Sequence, residues 1–223
     1  MSLILNIDTA TETAQVSFAR DGKLLQSLSN ESQKDHASFL QVAIQQLIQS
    51  AAIMLADVDA IAVTAGPGSY TGLRVGMSSA KGLCYALNKP LITINTLEVL
   101  TVAAIQQTNE PGKFLYCPMI DARRMEVFTA IFSSKTTTKL SPCAMILQQD
   151  SFINELEKNK IVFFGSGAAK WKTLCDHPNA SFTVVSNLPA AMAQLSYDHC
   201  TRNDFANLAY SEPFYLKEFQ DKI

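Results

Sequence analysis

Histidine is scarce in this chain: there are three in 223 residues, at positions 36, 177 and 199, and no two stand at metal-ligand spacing. Cysteine offers no alternative. The five residues, Cys84, Cys117, Cys143, Cys175 and Cys200, are odd in number and contain no CxxC pair. That excludes a zinc knuckle and a disulfide framework, and they read as buried thiols of a reducing compartment. A basic excess is missing as well. Eighteen Lys and Arg stand against 20 Asp and Glu, and the longest basic cluster is the pair Arg123-Arg124. Unaided nucleic-acid binders carry a basic stripe and a high pI, so most phosphate contacts of any RNA complex must come from a partner. No apolar run reaches the ~18–20 residues needed to span a bilayer. The opening MSLILNIDTA lacks a basic n-region and is broken by Asn6 and Asp8, unlike a secretory signal. A cytoplasmic protein without a membrane segment is expected.

What is present is core-forming material. Apolar residues make up 48% of the chain and charged residues 17%, enough for one large domain or two lobes of about 100 residues. Residues 3–8 form an apolar run ending on Asp8; 13–20 alternate, and Asp21-Gly22 gives a two-residue hairpin signal into a third strand at 23–29. A helix over 35–51, capped by Asp35, carries Leu40, Ala43, Ile44 and Leu47 at 3.6-residue spacing. Residues 60–65 and 91–95 are continuous apolar runs of the kind buried in parallel sheets. Helices are predicted over 72–87 and 96–107. The order then repeats: strands 114–121, 126–133 and 138–147, a helix 150–158, a strand within 161–167, a helix 168–176 and a closing helix 189–209. IDTA (7–10) and IDAR (120–123) occupy matching places. Two copies of β-β-β-α-β-α predict an α/β protein of the actin-like ATPase, ribonuclease H-like class. Its lobes are expected at 1–108 and 109–223, with the closing helix free to dock back on the first.

The strongest local signal is AGPGSYTGLRVG (65–76), between a buried strand and a helix. It fits neither GxGxxG, since Thr71 stands where the last glycine is required, nor the Walker pattern. Two readings stay open. Gly66, Gly68, Ser69 and Thr71, with Asp8, contact a nucleotide or anion at the helix start; or the glycines serve a tight turn and close helix packing. Asp8 has its own alternative as a turn cap. Leu73, Gly76, Met77, Ala80 and Leu83 share one face of the second helix, and its small residues admit another helix, from the same lobe or from a partner. Asp121, Arg123 and Arg124 read as a surface ion pair or an anion contact. His36 reads as a surface or capping residue, Trp171 and Phe163-Phe164 as core, and Gly165-Ser166-Gly167 as a weak adenosine- or phosphate-loop signal.

IDTAT, AGPGSYTGLRVGMSSAKGL, INTLEVL (94–100), IDARRMEVF (120–128) and the closing PFYL (213–216) resemble the TsaB (YeaZ-like) family of bacterial tRNA threonylcarbamoyladenosine biosynthesis proteins, paralogues of TsaD. The resemblance covers essentially the whole chain; the glycine segment alone is shared with TsaD. It implies a subunit of the machinery that places threonylcarbamoyl on N6 of adenosine 37 in tRNA. In the catalytic paralogue an HxxxH motif holds metal; here Thr96 and Leu100 stand at those positions. The resemblance therefore implies a non-catalytic partner of a threonylcarbamoyl transferase, and argues against the metallopeptidase activity suggested by older names. The same fold could instead serve an independent small ATPase or kinase-like enzyme. It further implies helix pairing with the TsaD-type subunit through Leu40, Ala43, Ile44, Leu47, Leu73, Gly76, Met77, Ala80 and Leu83, and a TsaE-type ATPase in the assembly. tRNA would be met indirectly, and the same helix face could drive a homodimer when the chain is alone. No cofactor is required by this chain itself; ATP or ADP would sit at the subunit interface.

Overall fold

The computed structural model describes residues 1–31 and 36–217, in two compact units. The first comprises Met1–Thr96 and Pro189–Tyr215; the second, Leu97–Leu188 with the described residues after Tyr215.

In the first unit, β1 (Leu3–Asp8), β2 (Ala14–Arg20) and β3 (Lys23–Asn30) form an antiparallel meander. Its second turn is the Asp21-Gly22 pair, both at positive φ as this tight hairpin requires. Next come α1 (His36–Ala51), β4 (Ala60–Gly66), α2 (Tyr70–Leu87) and β5 (Leu91–Asn95). The sheet order is β3-β2-β1-β4-β5, with β1, β4 and β5 parallel. β1 is buried along its whole length and β4 nearly so. One face of the sheet, with Leu5, Ile7, Phe18 and Val63, packs against Leu40, Ile44 and Leu47 of α1 and Met77 and Cys84 of α2. α2 is closed by Asn88 in the left-handed region. The expected cap Asp35 lies outside the described residues.

The second unit has α3 (Thr96–Gln106) at its start, then β6 (Leu115–Asp121), β7 (Glu126–Phe132), β8 (Thr138–Ile146), α4 (Ile153–Leu156), β9 (Ile161–Phe164), α5 (Ala168–Lys172) and β10 (Ala180–Phe182). Read as β8-β7-β6-β9-β10, its sheet repeats the first position by position, including two antiparallel and two parallel pairings. The expected repeat of element order is thus a repeat of topology.

Three boundaries differ from the sequence reading. The division falls at Thr96/Leu97, not 108/109, because Leu97, Leu100 and Ala104 of α3 pack with Tyr116, Phe132 and Phe164. α4 is a single turn, not 150–158, since Phe152 before it is left-handed. The closing helix α6 (Leu188–Thr201) stops short of 209, where Asn203 takes a left-handed conformation and the Asp204 amide bonds to the His199 carbonyl. Residues 202–215 run on as a non-helical strap. Among the described residues, no helix is long and apolar enough to cross a membrane.

Candidate functional site

The glycine segment and the end of β1 are built against each other. The Ser69 amide donates to the Ala10 carbonyl at 2.7 Å, and the Thr9 hydroxyl donates to the Gly72 carbonyl at 2.7 Å. A side chain at Gly68 would collide with the Ala10 carbonyl, one at Gly72 with the Thr9 carbonyl, and one at Gly76 with the Thr9 hydroxyl. At Gly66, φ is +120° and the obstacle is the Phe214 carbonyl of the strap. The glycines therefore provide close approach of backbone to backbone. Ser69 caps α2, its hydroxyl accepting from the Gly72 amide. Of the five residues considered for an anion, only Thr71 is exposed; Asp8 and Gly66 are buried and Gly68 and Ser69 half-buried.

Asp8 sits at the C-terminal end of β1, buried, its Oδ1 accepting from the Ala10 amide at 3.0 Å and from the Thr64 hydroxyl at 2.8 Å. The first bond is the turn cap. Burial pushes its carboxyl above the ordinary carboxylate range, against the lowering from those two donors and from His36. A raised folded-state pKa means that stability is fullest below the unfolded value and is lost as pH rises through the folded one. Asp8→Asn keeps the acceptor and removes the charge. Its melting temperature is expected to exceed that of wild type by a margin that widens from pH 4 to pH 8. A margin independent of pH would contradict this. His36, expected as a surface or capping residue, is buried, with Nε2 3.0 Å from the Thr11 carbonyl oxygen.

The strap is a feature the sequence reading lacked. The Phe214 amide donates to the Ala65 carbonyl, Lys81 donates to the Ala209 and Ser211 carbonyls, and Arg74 Nε donates to the Tyr215 hydroxyl. The Tyr70 and Tyr215 rings lie 5.2 Å apart, with the Arg74 guanidinium 4.1 Å from the centre of the Tyr70 ring. The only local signal was the PFYL ending, which says nothing of where the tail returns.

The helix faces require a correction. Leu40, Ala43, Ile44, Leu47, Leu73, Gly76, Met77 and Ala80 are all buried inside this unit, and Leu83 is half-buried against the same core. They face their own sheet and are not available as a partner surface. The 3.6-residue periodicity marks the face that is buried, not the body that buries it. The outward faces are different residues: Val42 on α1, 53% exposed, and Ser78, Gly82 and Tyr85 on α2, the last 82% exposed. The two helices touch where the Gln41 amide donates to the Ser79 hydroxyl.

In the second unit, Asp121 ends β6 as Asp8 ends β1. Its partner is Lys170 at 2.7 Å, not an arginine, while its Oδ1 also accepts from the Arg123 amide. Gly165 and Gly167 press against β6, the Gly167 amide donating to the Met119 carbonyl, and the Ser166 hydroxyl accepts from the Asp121 amide. Trp171, Phe163 and Phe164 are core, as expected. Thr96 and Leu100 are both buried.

Two sheets of one strand order, each with an acid ending its central strand, define the actin-like ATPase class. Polyphosphate/ATP-glucomannokinase from Arthrobacter shares it, with a TM-score of 0.53 over 91% of this chain and 100% of that one at 11% identity, a likeness of fold alone. More specifically, the family model described as TsaD, tRNA N6-adenosine threonylcarbamoyltransferase, matches residues 28–211, and the chain belongs to that family. The tRNA threonylcarbamoyladenosine biosynthesis protein TsaB of Bacillus subtilis is 29% identical over 163 residues, covering 72% of this chain and 69% of that protein. Its counterpart in Haemophilus influenzae is 24% identical, covering 96% and 93%. YeaZ from Pseudomonas aeruginosa superposes with a TM-score of 0.77 at 26% identity, covering 97% of this chain and all of that one.

Proposed function

We propose that this chain is a TsaB-type, non-catalytic subunit of the tRNA threonylcarbamoyladenosine modification system, working beside a TsaD-type catalytic subunit. The observation that carries the reading is the pair Thr96 and Leu100. They stand where the resemblance puts metal-binding histidines, and both side chains are packed inside the protein. A side chain sealed in a core presents no ligand atom to a metal or a substrate. The family membership and the TsaB-named relatives support a place in that modification system.

The docking face moves outward from the core residues to Val42, Ser78, Gly82 and Tyr85. The three α2 positions follow at i, i+4 and i+7, one stripe of a helix. The stripe offers small residues for close approach beside one exposed aromatic, Tyr85, a residue type that interfaces favour. On this reading a nucleotide belongs to the junction with the partner, a TsaE-type ATPase completes the assembly, and the setting is cytoplasmic.

Light scattering on a sizing column, with this chain alone and then with the TsaD-type protein of the same source, tests the subunit role. A heteromeric peak, with transfer activity only in the mixture, is expected. An unchanged profile together with tight magnesium-nucleotide binding by the chain alone would instead favour an independent ATPase. Gly82→Arg tests the docking face. A side chain at Gly82 meets nothing within 4 Å, so the variant should fold with a wild-type melting temperature yet give at least a tenfold loss of heteromer affinity, the ~1.4 kcal/mol scale of one disrupted contact. Undiminished pairing would defeat the assignment of this face.

A further inference from the structure

We propose that the β6–β7 turn of this chain, through Arg123 and Arg124, binds the phosphate backbone of RNA directly; the inference rests on the subunit reading above for the identity of that RNA.

The argument begins with charge. The chain as a whole is slightly acidic, but the charge is unevenly shared. Residues 97–188 hold nine Lys and Arg against eight Asp and Glu, whereas residues 1–96 and 189–215 hold seven against ten. The acidic surplus lies in the first unit, and the second presents the only Arg-Arg pair.

The turn then separates its arginines from the acids beside them. Asp121 is taken by Lys170 at 2.7 Å, and Glu126 by Lys217 at 2.9 Å. Glu126 also shows its backbone carbonyl to the Lys170 ammonium. Both carboxylates that could have neutralised the turn are thus occupied by lysines. The guanidinium groups of Arg123 and Arg124 are exposed and make no hydrogen bond or ion pair among the described residues. An ion pair was the simpler reading of this motif, and the geometry gives the pair to Lys170 instead.

The backbone makes arginine an unexpected choice here. Arg123 and Arg124 both have positive φ, +72° and +50°, where glycine and asparagine are the usual occupants of a hairpin turn. The turn is held by the Asp121 carboxylate on the Arg123 amide, by the Ala122 amide on the Glu126 carbonyl, and by the Glu126 amide on the Arg123 carbonyl. Two adjacent residues carry backbone strain that asparagine and glycine would relieve, and each carries a planar fork of donors that matches a phosphate. Turn geometry alone does not ask for arginine. A polyanion does, and the RNA of a tRNA-modifying complex is such a polyanion. Two contacts are also consistent with the near-neutral composition: they add to a partner's binding of RNA and do not replace it.

The test compares wild type with Arg123→Asn/Arg124→Gly, which keeps or relaxes the turn while deleting both guanidinium groups. An unmodified tRNA transcript is titrated by fluorescence anisotropy across a salt series, against the reconstituted complex and against this chain alone. We expect the variant to fold and to pair with the TsaD-type subunit as wild type does. Its RNA affinity should fall about tenfold at low salt, and the slope of log affinity against log salt should shrink by roughly 1–2. Arg123→Lys/Arg124→Lys should recover most of that slope. Equal affinity and slope for wild type and the Asn-Gly variant, or no RNA binding by wild type in either preparation, overturns the proposal. Failure of the chain to pair with the TsaD-type protein counts against the functional reading instead, and the titration of the chain alone still decides the RNA contact.

Discussion

The double substitution Gly76→Glu with Ala80→Arg is expected to leave no stably folded protein. The family resemblance puts these positions on a helix face that meets the TsaD-type partner, and charges there would then block assembly and spare the fold. The structure reverses that expectation. Ala80 is fully buried with Met77 and Cys84 beneath the sheet. A Cβ at Gly76 would overlap the Thr9 hydroxyl, which is itself bonded to the Gly72 carbonyl. Glutamate must break that bond and bury a carboxylate; arginine one turn later must bury a guanidinium on the same apolar face. Each buried charge without a partner costs several kcal/mol. That is comparable to the whole stability of a domain, about 5–15 kcal/mol. Far-UV circular dichroism and solubility check the outcome. A soluble variant with a wild-type spectrum and a melting temperature within a few degrees of wild type would mean that these positions are not core. Paired with Gly82→Arg, which enters open space six residues along the same helix from Gly76, the experiment separates the inward face of α2 from its outward one.

Why the sequence misplaced that face is a physical matter. Apolar residues at 3.6-residue spacing say that a helix buries one side. They say nothing of whether the covering surface is a neighbouring strand or another molecule. Here β1 is buried on both faces and β4 nearly so, as strands in the middle of a sheet are, and a sheet buried on both faces needs helices to cover it. Counting that demand would have assigned Leu40, Leu47 and Met77 to the sheet first. The fold itself was far more legible, because it is set by local signals. Asp21-Gly22 fixes the hairpin, Asn88 and Pro90 stop α2, and runs ending at Asp8 and Asp121 mark equivalent strands. β10 escaped notice because three residues, Ala180–Phe182, carry no periodicity. The strap escaped for a different reason. Its bonds from Phe214 to Ala65 and from Arg74 to Tyr215 join residues more than 140 positions apart, and no local pattern encodes them. The glycine segment lies between these extremes. Its glycines announce close approach, but only the structure says that what approaches is Ala10, Thr9 and Phe214 and supplies the packing role for Gly66, Gly68 and Gly72.

Trp171→Ala is expected to cost the second unit about 3–5 kcal/mol, the range for deleting a large buried aromatic side chain. The side chain is nearly inaccessible and meets Phe152 at 5.4 Å and Phe163 at 6.0 Å between ring centroids; Phe163 in turn stacks on Phe182 at 5.5 Å. This aromatic group joins α5, β9, β10 and the turn before α4, three of them short elements of three to five residues. Elements so short have little stability of their own, so the aromatic packing is what holds this half of the unit together. A second observation sharpens the prediction. The indole Nε1 is buried and has no hydrogen-bond partner among the described residues. Leaving a buried donor unsatisfied is itself unfavourable by roughly 1–3 kcal/mol, so Trp171→Phe removes a liability along with some volume. It should cost much less than the alanine, under ~1.5 kcal/mol. Urea unfolding followed by far-UV circular dichroism measures both variants without relying on the lost tryptophan signal. A phenylalanine variant as unstable as the alanine one would mean that the indole is bonded in solution, most simply to a buried water, and that its hydrogen bond matters more than its bulk.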